Sequence, residues 1–214
     1  MASRDPRRML VVVASPELNQ AAEAAFGAIH EADAEFGSAI DLVLADESSE
    51  AAAAFGAADE GPLGRSQEAA LLQACQMRWP DADVRLVFMR RGLRDRWFSH
   101  WNAETRTALV SLDSWEAIAP LPVAAFVADE IVLYGLFTLS RGYTPRMLMH
   151  EETRGCLFDF CAEKQDISFK LRTGDVCPDC RATLARIRVP VERVQRMLDA
   201  VRGLALARGP MVGS

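Results

Sequence analysis

The sequence predicts an α/β domain. A mostly parallel or mixed sheet carries flanking helices, and a four-cysteine zinc subsite lies near the C-terminus. Three observations predict this. Short apolar, β-branched runs alternate with longer stretches of helical periodicity, the pattern of strands joined by crossover helices. Half of the 214 residues are hydrophobic and a quarter are charged, which suffices for a full core without disulfide staples. Four of the five cysteines fall within GCLFDFCAEKQDISFKLRTGDVCPDC, residues 155–180.

The elements follow in order. MLVVVAS (9–15) reads as a buried strand. Ser15 then caps a helix with Pro16 at its first position, and the helix runs through Asn19 to about residue 34. AIDLVLAD (39–46) is a second strand. ESSEAAAAFGAADEGPLG (47–64) begins as a weak alanine-rich helix and ends as a loop. SQEAALLQACQMRW (66–79) is helical with Ser66 as cap, VRLVFMR (84–90) is a third strand and RTALVSLDS (106–114) a fourth. A helix spans 122–139 and stops before Gly142. PDCRATLARI (178–187) gives a short helix. VPVERVQRMLDAVRGLAL (189–206) gives a last amphipathic one, with Val191, Val194, Met197, Leu198, Val201 and Leu204 on one stripe. The expected organisation is a core domain over 1–150, a zinc-binding subdomain over 151–188 and a C-terminal helix over 189–214.

Composition excludes some roles. The net charge of -6 gives no global attraction to nucleic acid. The apolar run near the start, MLVVVA, is shorter than the hydrophobic region of a secretion signal. In the apolar stretch 117–139, Asp129 and Glu130 would each cost about 2.5–3.5 kcal/mol at a bilayer centre, so a buried helix is expected and no membrane partner. A cytoplasmic location follows, where thiols stay reduced and clustered cysteines favour metal over disulfide. The excess of arginine over lysine, with abundant alanine, points to a GC-rich bacterial genome.

Cys156 and Cys161 are spaced C-x4-C, and Cys177 and Cys180 form the tight knuckle C-x2-C. Four thiolates suit tetrahedral zinc and close its coordination sphere, so one structural Zn2+ per chain is expected. His150, six residues before Cys156, could replace one cysteine, although a hydrogen-bonded or surface histidine is the plainer expectation. Cys75 sits on an apolar helix face and reads as a buried, inert thiol. WFSHW (97–101) places three aromatics around His100 in what reads as a loop, either a ligand pocket or side chains folded back on the core. From Arg181 onward, seven arginines stand against two acids. This is either a nucleic-acid face or, more plainly, the solvated side of a helix.

The cysteine segment resembles archaemetzincins, compact zinc metallopeptidases of the metzincin clan. These carry a structural zinc on four cysteines spaced C-x4-C and C-x2-C with a short helix following, as in Cys156, Cys161, Cys177, Cys180 and RATL (181–184) here. A strand containing Val110-Ser111-Leu112, then a long helix, then the first cysteine follow the same order. The resemblance implies a metzincin-like fold. It also implies a catalytic HExxHxxGxxH helix, and the sequence departs from that motif. The corresponding helix reads ADEIVLYGLFTLSRG without a histidine, and Gly155 precedes Cys156. His150-Glu151 begins like the motif, but Arg154 stands where its second histidine would be.

The expected function is therefore a catalytically degenerate, metzincin-like zinc protein, a recognition or regulatory module whose partner is another protein. The alternatives are an active zinc hydrolase with a centre drawn from His100, His150 and Glu151, and a nucleic-acid-binding zinc protein. Glu130 and Tyr134, one turn apart on the 122–139 helix, are the residues that would face the degenerate centre.

Overall fold

The computed structural model of the chain describes residues 7–45, 61–140 and 142–207. The chain divides into two compact units, Met1–Gln20 with Ser38–Ser114, and Ala21–Gly37 with Trp115–Ser214.

The first unit holds a five-stranded sheet of β1 (Met9–Val13), β2 (Ile40–Val43), β3 (Val84–Met89), β4 (Ser99–Asn102) and β5 (Thr107–Ser111), in the order β2-β1-β3-β5-β4. β1 runs parallel to β2 and β3, and β3 runs parallel to β5. Each of these four lies within a strand expected from the sequence. They are legible because a parallel strand buried on both faces reads as an unbroken apolar run, and every residue of β1 and β5 is buried. The expectation of a loop at WFSHW needs correction. Ser99, His100, Trp101 and Asn102 form the antiparallel edge strand β4 against β5. All four residues are half-buried, so neither an apolar run nor an alternation announces them.

One face of this sheet packs Leu10, Val12, Val87, Met89 and Leu109 against Leu71 and Cys75 of the helix α3 (Arg65–Arg78). This helix starts earlier than Ser66. Gly64 caps it, donating its N–H to the Gln67 side chain at 2.9 Å. The alanine-rich stretch 46–60 lies outside the described residues.

The second unit is helical: α2 (Ala34–Gly37), α4 (Trp115–Ile118), α5 (Val123–Leu139), α6 (Ile167–Thr173), α7 (Pro178–Arg186) and α8 (Val191–Leu206), together with most of α1 (Asn19–Ala32). Every residue of α5 from Ala124 to Phe137 is buried, Asp129 and Glu130 included, as expected of a helix that is apolar on all sides but for those two acids. α5 packs on α8, whose Val194, Met197, Leu198 and Val201 are fully buried. Trp115 stacks on Phe126 with centroids 4.8 Å apart and donates its indole N–H to the Leu121 carbonyl at 2.9 Å. Arg193 of α8 grips Asp33 with two bonds of 2.7 and 2.8 Å. No helix among the described residues is long and apolar enough to cross a membrane.

Gly135 makes room on α5 for the ring of Phe36, and a Cβ there would overlap that ring. Gly135→Ala is expected to cost about 1–3 kcal/mol through overpacking, read as a lower urea midpoint. Phe36→Leu in the same chain should recover part of the loss, since it removes the clashing edge.

Candidate metal centre

Three short pieces of chain build the site. The first is the knuckle Cys177-Pro178-Asp179-Cys180. Cys177 is the N-cap of α7 with φ -63° and ψ 160°, and Pro178 takes the first helical position, where no N–H is needed. Cys180 falls in the first turn, so both sulfurs are presented at the start of one helix.

The second piece is the turn into Cys156. Gly155 has φ +75°, and a Cβ there would overlap the Thr173 side chain, so glycine is required on both counts. Leu157 donates to the Asp175 carbonyl at 2.8 Å and Asp175 donates to the Gly155 carbonyl at 3.2 Å. This short parallel bridge sets Cys156 beside the knuckle. The third piece is His150. Its N–H bonds the Phe158 carbonyl at 3.2 Å, and its carbonyl accepts from Phe160 at 3.0 Å, which lays it alongside Asp159.

As a result, His150, Cys156, Cys177 and Cys180 each offer one ligand atom, and these atoms all lie within 4.8 Å of one another. A zinc–sulfur tetrahedron with bonds of about 2.3 Å has edges of about 3.8 Å, so the group needs little contraction to close on a metal. The three cysteines are buried and His150 is partly so.

The surroundings prepare these donors. His150 Nδ1 lies 2.9 Å from the Glu152 carbonyl and 3.3 Å from Asp159 Oδ1, while Nε2 lies 3.6 Å from Cys177 Sγ. With its proton on Nδ1 donated to the Glu152 carbonyl, the ring turns its Nε2 lone pair to the sulfurs. A backbone carbonyl thus orients the imidazole, as is common for metal-binding histidines, with the Asp159 carboxylate alongside. Asp159 is fully enclosed. Its Oδ2 accepts the N–H groups of Arg154 and Cys156, both at 2.9 Å. Cys156 Sγ accepts the N–H groups of Cys177 at 3.3 Å and Phe158 at 3.5 Å. The Cys156 thiol is pushed down to about 5, chiefly by its hydrogen bond with Cys180, then by those two amides, with burial working against them. The same shared proton pushes Cys180 up. Three sulfurs, with the Cys156 thiol pushed down, and one oriented imidazole fit zinc.

The structure brings together three of the four cysteines expected as ligands. His150, not Cys161, is the fourth member of the group. Cys161 is buried, sits in left-handed backbone at φ 51°, and is pushed up to about 12 by burial. The ladder through Phe158 and Phe160 carries His150 to the site instead. Cys161→Ser is expected to keep the zinc content of the parent protein, whereas His150→Ala should lower zinc affinity. Metal analysis after dialysis against a graded chelator would check both.

The other candidates lie outside this group. His100, on β4, sits between Glu68 at 3.2 Å and Asp95 at 2.6 Å. Glu130 and Tyr134 are buried on α5, and Glu151 is exposed. In the sequence, Asp159 stands out only as the acid of FDF (158–160), where an acid beside the zinc loop is expected to orient the loop. Here it accepts the loop N–H groups of Arg154 and Cys156 beside His150. The available signal was an acid three residues after a candidate ligand.

No protein-family model and no curated protein matches the chain. Among solved structures, archaemetzincin from Methanopyrus kandleri matches with a TM-score of 0.53 and 17% identity, covering 89% of this chain and 100% of that one. The chain thus has an archaemetzincin-like fold with a His/Cys3 group at metal-binding distances.

Proposed function

We propose that the chain is a zinc protein without peptidase chemistry, a recognition or regulatory module whose partner is another protein. The observation that carries this reading is the donor set of His150, Cys156, Cys177 and Cys180. Four protein ligands complete a tetrahedral shell and leave no position for water or substrate. Zinc bound there supplies folding energy and ties the knuckle to the turn at Cys156. The chain's own groups do the rest: the Glu152 carbonyl holds the imidazole beside Asp159, and the amides of Cys177 and Phe158 hold a sulfur.

Two further observations support the reading. α5 brings acids and tyrosine to its buried faces but no histidine. Four of the seven arginines from Arg181 onward engage the chain's own acids. Arg181 pairs with Asp175, Arg193 and Arg196 pair with Asp33, and Arg202 pairs with Asp199, which favours a protein partner over nucleic acid. Reduced thiols suit a bacterial cytoplasm.

The test combines metal analysis with an activity assay on unfolded protein substrates. One zinc per chain and no chelator-sensitive cleavage is the expected result. Two zincs with cleavage lost in Glu130→Gln or Glu151→Gln would establish a hydrolase instead. Salt-dependent binding to DNA or RNA would establish the nucleic-acid alternative.

A further inference from the structure

The Asp159 side chain is wholly enclosed, and its two oxygens are treated differently. Oδ2 accepts the N–H groups of Arg154 and Cys156, both at 2.9 Å. Oδ1 is buried without a hydrogen-bond partner. An unpaired buried acceptor is costly, and a buried carboxylate needs a counter-charge. Among the described residues, the basic side chain at ion-pair distance is His150, with Nδ1 3.3 Å from Oδ1. The ring sends its Nδ1 proton to the Glu152 carbonyl at 2.9 Å instead.

We propose, on the basis of the zinc reading of the His/Cys3 group, that Asp159 is the positioning residue of that group. Its free Oδ1 takes or shares the Nδ1 proton of His150 when the histidine is a ligand, so that one carboxylate fixes both His150 and Cys156.

The backbone holds the acid between these two ligands. Asp159 donates its own N–H to the Cys156 carbonyl at 3.0 Å, and its neighbours Phe158 and Phe160 bond the His150 main chain at 3.2 and 3.0 Å. The carboxylate therefore cannot drift from either one. The chemistry decides between the two acceptors. An imidazole whose Nε2 lone pair goes to a cation is a stronger donor at Nδ1, and a carboxylate accepts such a proton more strongly than a carbonyl does. Glu152 is exposed, where water competes, whereas Oδ1 is shut away from solvent, where electrostatic attraction is stronger. The residue type also matters. An asparagine could still accept the two loop N–H groups through its one oxygen, but it would turn an NH2 group toward the Nδ1 proton.

The test measures the zinc affinity of the full chain by competition with a chromophoric chelator. Asp159→Asn should weaken binding about 10–100-fold, the usual loss when such a partner is removed. In a His150→Ala background the same substitution should cost nothing further, because Asp159 acts through the ring. A role confined to shaping the loop would give equal losses in the two backgrounds. Unchanged affinity in Asp159→Asn, or an undiminished loss beside His150→Ala, would overturn the proposal and leave the zinc site standing. A wild type that binds no zinc would overturn the site and the proposal together. If Asp159→Asn does not fold, a crystal structure of the zinc-loaded wild type decides: Nδ1 within hydrogen-bonding reach and direction of Asp159 Oδ1 supports the proposal, and Nδ1 bonded to the Glu152 carbonyl alone overturns it.

Discussion

Cys177→Ser should lower the melting temperature by at least about 10 °C, and chelating the metal from wild type should have a comparable effect. Zinc binding to small zinc-finger peptides releases about 10–16 kcal/mol at neutral pH, more than the whole stability of many domains. In a chain of this length each kcal/mol moves the midpoint by about 2–4 °C. Cys177→Ser removes a sulfur of the metal group and leaves the backbone N–H that bonds Cys156 Sγ at 3.3 Å in place, so the loss reports on the metal. Cys75 gives the contrast. It is buried in the sheet core, and its thiol is pushed up to about 12 by that burial, so it is a small apolar filler. Cys75→Ser should cost about 1–2 kcal/mol, the price of one buried hydroxyl. Chelator should shift the Cys75 variant as it shifts wild type and leave the Cys177 variant where it is. Equal melts for the two variants, or chelator sensitivity in both, would remove the metal from the stability of this protein.

Asp129→Leu is expected to destabilise the protein by about 3–5 kcal/mol, because it leaves the Lys170 ammonium enclosed without its carboxylate. Lys170→Met in the same chain should restore most of that loss, since two apolar side chains of similar size need no desolvation. The double variant is the informative one. Recovery shows that the cost lies in the uncompensated charge. A double variant as unstable as Asp129→Leu alone would show that α5 and α6 depend on the ion pair itself. Urea unfolding of the four proteins gives the cycle directly.

What the sequence disclosed, and what it withheld, follows from the range of each interaction. β1, β3 and β5 were legible because strands with both faces buried carry unbroken runs such as MLVVV. The C-P-D-C knuckle was legible because its geometry is local: a cap, a proline and one helical turn. Edge strand β4 was not, since SHWN is short and half-buried. Cys161 carries a ligand's residue type at a usable spacing, but nothing in that spacing reveals the left-handed backbone at residue 161. His150 reaches the site through backbone pairing with Phe158 and Phe160, and hydrogen bonds between main-chain groups leave no mark on residue identity. The Asp129–Lys170 pair joins two helices far apart in sequence, beyond any periodic signal, although the rarity of lysine was visible from the start.

The second unit is assembled from two separated stretches, Ala21–Gly37 and Trp115–Ser214. This bears on the order in which a ribosome can deliver its contacts. Phe36 must wait for Gly135, and Asp33 must wait for Arg193. At translation rates of about 5–20 residues per second, the Asp33 carboxylate emerges about 8–30 s before its guanidinium partner is made. Until Gly135 is made, about 5–20 s after Phe36, the nascent chain lacks the helix against which the Phe36 ring is buried in the finished molecule. The cysteines emerge late as well, so metal capture belongs to the last steps of synthesis. A chain truncated before α8 should be a client of chaperones rather than a folded intermediate.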